Sequence, residues 1–515
     1  MRLIELERSA GLPPVDLAGK RLLIFVVAYN AAATIEKVLS RIPQSLHTDD
    51  VEVLIIDDSS KDDTFRNGLR YQQKYSAIKI TILRTPENQG YGGNQKLGYR
   101  YAIDHCFDFV AMVHGDGQYA PEELPNLVGP LVRGEAAAVF GSRMINKASA
   151  RAGGMPLYKW VGNQVLTGFQ NRMLGTSLSE FHSGFRLYST AALAQIPFEK
   201  NTNGFHFDTE IIIQLVLAKL HIAELPVPTF YGDEICHVNG MKYAWDVFKA
   251  TIKARLCGIH LFYDRKFDVN PEIDQHSDKL GFASSQRFAV DASISGKRVL
   301  QLGIGHANVA AELKRRSCDV TAIDFAASHL RASASPAMPF SAPSPAVPSD
   351  AGTYDQILLM DLIEHLYDPE NFMDELRRQT GNQRPEVIIT SANVAFFVTR
   401  MMLALGQFNY SRKGILGLGH RRLFTFKSLR ALLEQAGYQI IEEAGVPAPF
   451  PLAIGTNRWS AALLKLNRAL IGFSKSLFSY QVCIRSRALP DLRHLLTETI
   501  SGSAAFRAEM LRHVA

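Results

Sequence analysis

Five short polar or glycine-rich sets stand out in the first half of this 515-residue chain. They are Ala28-Tyr29-Asn30, Asp57-Asp58-Ser59-Ser60-Lys61-Asp62-Asp63-Thr64, Asn88-Gln89-Gly90-Tyr91-Gly92-Gly93, His114-Gly115-Asp116-Gly117-Gln118 and Gly141-Ser142-Arg143. Taken singly, an Asp pair is more often a turn or a helix cap, and a run of glycines more often a turn. Each set, however, directly follows an apolar run, and in open α/β sheets ligands sit beyond the carboxyl ends of the strands. Arg143 and Arg186 are candidate phosphate contacts, because a guanidinium holds phosphate through two parallel hydrogen bonds. Asp208, Glu210 and Glu180 are carboxylates of the kind that serve as general bases.

The elements that must position these residues are legible as runs. Leu22–Val27 and Val51–Ile56 are continuously apolar, as strands buried on both faces are. Ile78–Leu83, Phe109–Val113 and Ala137–Phe140 follow in the same manner, with a helix expected around Ala33–Arg41. Strands alternating with helices imply βαβ units and a mostly parallel sheet. A polar stretch, Arg265–Lys279, marks a boundary, and a second strand–helix series begins at Arg298. Val320–Ile323, Gln356–Met360 and Val387–Thr390 are its further strands. The fold expected is therefore α/β, two doubly wound domains in tandem: 1–265, a linker at 266–280, 281–450, and a helical extension at 451–515. Ala332–Ser349 is almost all Ala, Ser and Pro and reads as a loop.

Over Arg21–Leu256 the ordered sets resemble inverting glycosyltransferases of the dolichyl-phosphate-mannose-synthase kind, with the nucleotide-sugar A-type fold. The resemblance implies a nucleotide-sugar donor held by Tyr29, Asn30, Asp57, Asp58, Asn88, Gly90 and Gly92. Asp58, with Asp57, would meet the nucleobase and ribose. The family's metal motif is Asp-x-Asp followed by Gln. Asp116 and Gln118 match it, and His114 replaces the first Asp. The implied cation is Mg²⁺ or Mn²⁺, and an imidazole at His114 suits Mn²⁺ better. Asp116 would also be catalytic, beside Asp208 or Glu210. Glu180–Arg186, Asn203–Glu210 and Tyr231–Glu234 are similar to acceptor-side segments. The implied acceptor is a polyprenyl phosphate or a glycan hydroxyl.

In the second half, Arg298–Gly305 is a strand entering a Gly-x-Gly loop, and Asp324 follows the next strand. Together with Tyr354–Pro369 and Gly419–Thr425, this resembles class I S-adenosylmethionine-dependent methyltransferases over Gly296–Glu443. By that resemblance Gly303, Gly305, Asp324 and Asp361 would hold S-adenosylmethionine, with Glu364 and His365 near a methyl acceptor. Gln301 departs from the family's usual Glu, and the Ala/Ser/Pro segment replaces a strand that normally contributes to the adenine site. One reading is thus a bifunctional enzyme. Others are a glycosyltransferase with a non-catalytic binding module, or a scaffold with both sites inactive.

Composition bounds the partners. A formal charge of +6 and 21% charged residues suit anionic ligands and lack the clustered basic pattern of a nucleic-acid binder. Five scattered cysteines without CxxC spacing read as free thiols of a reducing compartment. No run reaches transmembrane length, so a cytoplasmic protein is expected. The tail pairs apolar residues at helical spacing with Lys465, Arg468 and Lys475, which fits a packing or homo-oligomer helix, or attachment to the inner face of a membrane.

Overall fold

The computed structural model describes residues 16–75, 77–228, 239–258, 263–269, 278–303, 307–324, 347–380, 383–411, 414–489 and 496. The chain divides into two compact units, Met1–Gly258 with Asp264–Pro271, and Ile259–Tyr263 with Glu272–Ala515.

The first unit is built on seven strands: β1 (Leu22–Ala28), β2 (Val51–Asp57), β3 (Lys79–Arg84), β4 (Phe109–His114), β5 (Ala138–Ser142), β6 (Arg186–Ser189) and β7 (Ile222–Pro226), in the order β3-β2-β1-β4-β6-β5-β7. The five expected runs are strands, and β1 and β2 are almost wholly buried, as central strands of a parallel sheet must be. β6 and β7 were not expected. β6 runs antiparallel between β4 and β5. Register brings the strand ends together, since Ala28 pairs with Asp57, Val27 with His114, and Asp57 with Arg84. The helix Tyr91–Asp104 lies so close to β1 that a Cβ on Gly98 would meet the Phe25 ring at 2.2 Å.

The second unit is a six-stranded sheet: β8 (Arg298–Gly303), β9 (Asp319–Asp324), β10 (Gln356–Met360), β11 (Glu386–Ala392), β12 (Tyr438–Val446) and β13 (Gln481–Ala488), in the order β12-β13-β11-β10-β8-β9. β8 to β11 pair in parallel, and β13 is antiparallel to both its neighbours. The tail expected as a helical extension is therefore only partly so. Arg458–Phe473 is a helix, but Gln481–Ala488 is a strand inside the sheet. Its inward side chains Val482 and Ile484 are fully buried, and it completes the hydrophobic core. Part of the expected linker is also structure: Phe267 is buried in the first unit, and Lys266 binds Glu210 there. Gly305, Tyr231–Glu234 and positions 332–346 of the Ala/Ser/Pro segment lie outside the described residues.

Candidate active site

At the carboxyl end of β4, the His114 imidazole is held on one side by Tyr91, with Oη 3.2 Å from Nε2. Tyr91 has a single hydroxyl proton and donates it to Asp208 Oδ2 at 2.9 Å. A carboxylate can only accept, so His114 Nε2 must donate to the Tyr91 oxygen. In the neutral ring that donation leaves the lone pair on Nδ1. Nδ1 lies 4.0 Å from Asp116 Oδ2, on a carboxylate 47% exposed whose Oδ1 accepts from the Gln118 amide. Two acceptor atoms facing each other at this spacing suit a cation between them. Burial, and secondly the Asp208 charge, push the Tyr91 hydroxyl well above its ordinary range, so it stays a donor.

The donor set fits Mg²⁺ or Mn²⁺. Such ions take one or two protein ligands and complete their shell with phosphate oxygens and water, and an imidazole favours Mn²⁺. Among the described residues no group of three or more His, Cys, Asp or Glu converges on one point, so phosphate oxygens would have to supply the rest.

Asp208 is spoken for. Besides Tyr91 it accepts from Gln95 Nε2 at 3.1 Å and lies 3.6 Å from Arg186. Arg186, at 1% exposure, gives its other donors to the carbonyls of Ser183, Asp208 and Phe181. The phosphate-contact reading of Arg186 is corrected: the guanidinium is an interior clamp. Glu210, at 2% exposure, accepts from the Thr202 amide at 2.6 Å and from Lys266 Nζ at 2.6 Å. Glu180, at 1%, is bound by Arg143 and by Asn163. None of these three carboxylates faces solvent, and each is bonded within the protein. Arg143 is part-buried, spanning Glu180 and the His182 carbonyl.

The donor-side residues separate into two groups. Tyr29, Asn30 and Asn88 are exposed at the sheet edge. Asn30 takes a positive φ of 49° and is tied to the facing loop through Ser60 and Lys61. Asp57 and Asp58 are buried at 1% and 3%. Asp58 accepts from the amides of Gln89 and Gly90, and Asp57 from Ser60, so both carboxylates brace loops, while Asp57 Oδ2 has no hydrogen-bond partner. Burial pushes the nearby Asp62 carboxyl up, but hydrogen bonds from Thr64 and the Ala32 amide outweigh it and hold it below the ordinary range. Gly90 and Gly92 are required by close approach: a Cβ would meet the carbonyl oxygen of Asn203 at 2.8 Å or of Thr202 at 2.4 Å. Their backbone is pressed against the 202–207 segment.

Sequence reasoning passed over Tyr91, Gln95, Gly184 and Tyr243. Tyr91 stands inside the glycine-rich set at 88–93, but its partner Asp208 lies 117 positions away. Gly184 leaves room for His114, since a Cβ there would lie 2.5 Å from Nε2. Tyr243 bonds His182 Nδ1 at 2.9 Å, while His182 Nε2 is buried without a partner and burial drives the imidazole down to about 4.

In the second unit Gly303 ends β8 in register with Asp324, the last residue of β9. Asp361 follows β10 with a positive φ of 47° and binds Thr390 and Gln481. Glu364 is 2% exposed, and its Oε2 has no partner. Burial, and next the Asp361 charge, raise its carboxyl to about 8. His365 binds the Gly419 carbonyl and packs edge-on to His420 at 4.9 Å. These groups share the carboxyl edge of the sheet. A cavity of about 440 Å³ lies at the opposite edge, among Lys297, Arg298, Asp355 and Glu386, away from this chemistry.

A family profile for glycosyl transferase family 2 matches residues 23–196, and one for a methyltransferase domain matches residues 278–443. The chain joins a family 2 glycosyltransferase domain to a methyltransferase domain. Among curated proteins it is similar to the UDP-N-acetylglucosamine–dolichyl-phosphate N-acetylglucosaminyltransferase of Methanococcus voltae, at 27% identity over 42% of this chain and 88% of that protein. It is also similar to the undecaprenyl-phosphate mannosyltransferase of Micrococcus luteus, at 25% identity over 42% and 85%. A low-salt glycan biosynthesis hexosyltransferase of Haloferax volcanii is 32% identical over 34% of this chain and 39% of that protein. Glucosyl-3-phosphoglycerate synthase from Mycobacterium tuberculosis, solved with Mn²⁺, uridine diphosphate and glucosyl-3-phosphoglycerate, is 20% identical over 46% of this chain and 80% of that chain, with a TM-score of 0.34.

Proposed function

We propose that the first unit transfers a sugar from a nucleotide-sugar to a lipid-linked phosphate of the polyprenyl class, with inversion at the anomeric carbon. The observation that carries this reading is the fate of the carboxylates. Glu180, Asp208 and Glu210 are all buried and bonded, so no general base is left among them to deprotonate a hydroxyl. A phosphate oxygen is already anionic and needs none. Two of the similar proteins carry a dolichyl- or undecaprenyl-phosphate in their names, which supports the same acceptor class.

In this mechanism Asp116 and His114 Nδ1 would hold Mg²⁺ or Mn²⁺ at the donor's diphosphate end. A bound divalent cation neutralises charge on the leaving diphosphate. Tyr91 and Asp208 orient His114 from behind, as outer partners of metal-ligating histidines do. The acceptor oxygen attacks the anomeric carbon in line, the bond to the diphosphate oxygen breaks, and the nucleoside diphosphate leaves with the bonding pair. Tyr29, Asn30 and Asn88 line the approach to the nucleoside.

For the second unit we propose S-adenosylmethionine binding at the carboxyl edge of β8, β9 and β10, through Gly303, Asp324 and Asp361. When bound, the cofactor supplies an electrophilic methyl group. Glu364, protonated at neutral pH, has a hydrogen to donate there, while its Oε1 accepts from the Ala392 amide. Both reactions belong on the cytoplasmic face of a membrane.

The test is transfer from UDP-, GDP- and dTDP-sugars to a short-chain polyprenyl phosphate, with Mg²⁺ or Mn²⁺. Metal-dependent product, lost in Asp116→Ala, is expected. Transfer to a glycan hydroxyl but not to the phosphate would refute the acceptor assignment. Calorimetry with S-adenosylmethionine, compared between the native chain and Asp361→Ala, tests the second unit. Absence of binding by the native chain leaves it a non-catalytic module.

A further inference from the structure

β12 and β13 are antiparallel neighbours, yet residues 447–480 intervene between them. Antiparallel neighbours need only a short turn, so the excursion is not a requirement of the sheet. Most of it is helical, chiefly Arg458–Phe473, with Phe450–Ile454 before and Lys475–Phe478 after.

The long helix is amphipathic in the reverse of the usual sense. The side it turns to the protein carries Ser460, Asn467 and Ile471, all buried. Asn467 is locked there, accepting from the Ala448 amide at 2.9 Å and donating to the Phe478 carbonyl at 2.9 Å. The side turned outward carries Trp459 (77% exposed), Leu463 (36%), Leu466 (57%) and Phe473 (87%). Their spacing, i, i+4, i+7 and i+14, places them on one stripe. A helix in contact with water alone would place these groups the other way round.

Charge points to the same medium. There is no Asp or Glu between Glu443 and Asp491, whereas Arg458, Lys465, Arg468 and Lys475 all lie on or beside the helix. Arg458, Lys465 and Arg468 are exposed. Aromatic and aliphatic side chains on an exposed stripe, flanked only by cations, are the signature of a helix lying in the interface of an anionic bilayer. Among the described residues no helix is long and apolar enough to cross one.

We propose that this inserted helix is a membrane-surface anchor of the methyltransferase unit, seating Trp459, Leu463, Leu466 and Phe473 among the lipids and its Lys and Arg residues against anionic headgroups. The anchor stands on the helix alone and does not depend on the acceptor assigned above.

The full chain is tested by sedimentation with phosphatidylcholine vesicles containing about 30% phosphatidylglycerol, against phosphatidylcholine alone. Binding to the anionic vesicles is expected. It should fall at least ~10-fold in Trp459→Ser/Leu466→Ser/Phe473→Ser, and the preference for phosphatidylglycerol should vanish in Lys465→Glu/Arg468→Glu. In a second measurement, Trp160→Phe/Trp245→Phe leaves Trp459 as the sole tryptophan and leaves the inserted helix unaltered. Its emission should shift to the blue and be quenched by brominated lipid. Unchanged emission from vesicle-bound protein, or undiminished binding by the triple Ser variant, overturns the proposal. So does absence of vesicle binding together with a dimer that the triple Ser variant converts to monomer, which would make the stripe a self-association face.

Discussion

Removing one oxygen atom, with Tyr91→Phe, separates a positioning role for Tyr91 from a merely structural one. The hydroxyl bonds Asp208 at 2.9 Å and lies 3.2 Å from His114 Nε2. Its loss takes one donor from a carboxylate only 6% exposed. Gln95 and Arg186 remain beside that carboxylate, so the fold should survive. A hydrogen bond to a charged group contributes about 1.5–3 kcal/mol, which for a domain of this size lowers Tm by roughly 3–12 °C. The second effect is specific. Without the Tyr91 oxygen to accept from Nε2, His114 loses the contact that keeps Nδ1 bare toward Asp116. Removal of an outer-shell partner typically weakens metal binding about 10–100-fold. The assay is sugar transfer at saturating donor, titrated with Mn²⁺, beside thermal unfolding of the same preparation. The half-saturating Mn²⁺ concentration should rise about 10–100-fold, with activity largely restored at high Mn²⁺. A Tyr91→Phe enzyme that unfolds earlier but keeps the native Mn²⁺ dependence would refute the tautomer argument and leave Tyr91 a packing residue.

Gly184→Ala should abolish transfer while leaving the unit folded, because a Cβ 2.5 Å from His114 Nε2 must displace the imidazole; circular dichroism beside the transfer assay checks both halves. Arg186→Ala strands the buried Asp208 charge and the carbonyls it serves, and should destabilise the first unit by about 3–5 kcal/mol in denaturant titration. Glu364→Gln should change the pH dependence of stability of the second unit. The native carboxyl holds its proton up to about pH 8, against an ordinary 4.5. The stability it contributes is therefore complete below pH 4.5 and is lost as pH rises toward 8. The amide cannot ionise, so the Gln variant should show a flatter Tm profile across that window. An identical slope in both proteins would show that the Glu364 carboxyl ionises normally.

By itself the sequence determined the parallel cores of the two sheets and the edge where chemistry collects. Continuous apolar runs such as Leu22–Ala28 and Val51–Asp57 are bound to be buried parallel strands, and the residues just after a parallel strand lie at the ligand edge. His114, Asp116, Gly303 and Asp361 were found in this way, because strand and loop are contiguous in the chain. Tertiary structure alone decided which polar groups remain available. Asp58 and Asp116 both follow strands, yet one is buried under the amides of Gln89 and Gly90 and the other stands open. Arg186 looked like a phosphate ligand until its burial against Asp208, Phe181 and Ser183 gave each of its three nitrogens a carbonyl partner. β6 and β13 escaped notice for a related reason. Each takes its place by antiparallel pairing with strands distant in the chain, and β13 pairs with β11 about a hundred positions away. A local pattern records which face of an element is apolar. It carries no record of the partner across the sheet, and that partner decides whether a carboxylate, an imidazole or a guanidinium meets a ligand or the protein's own interior.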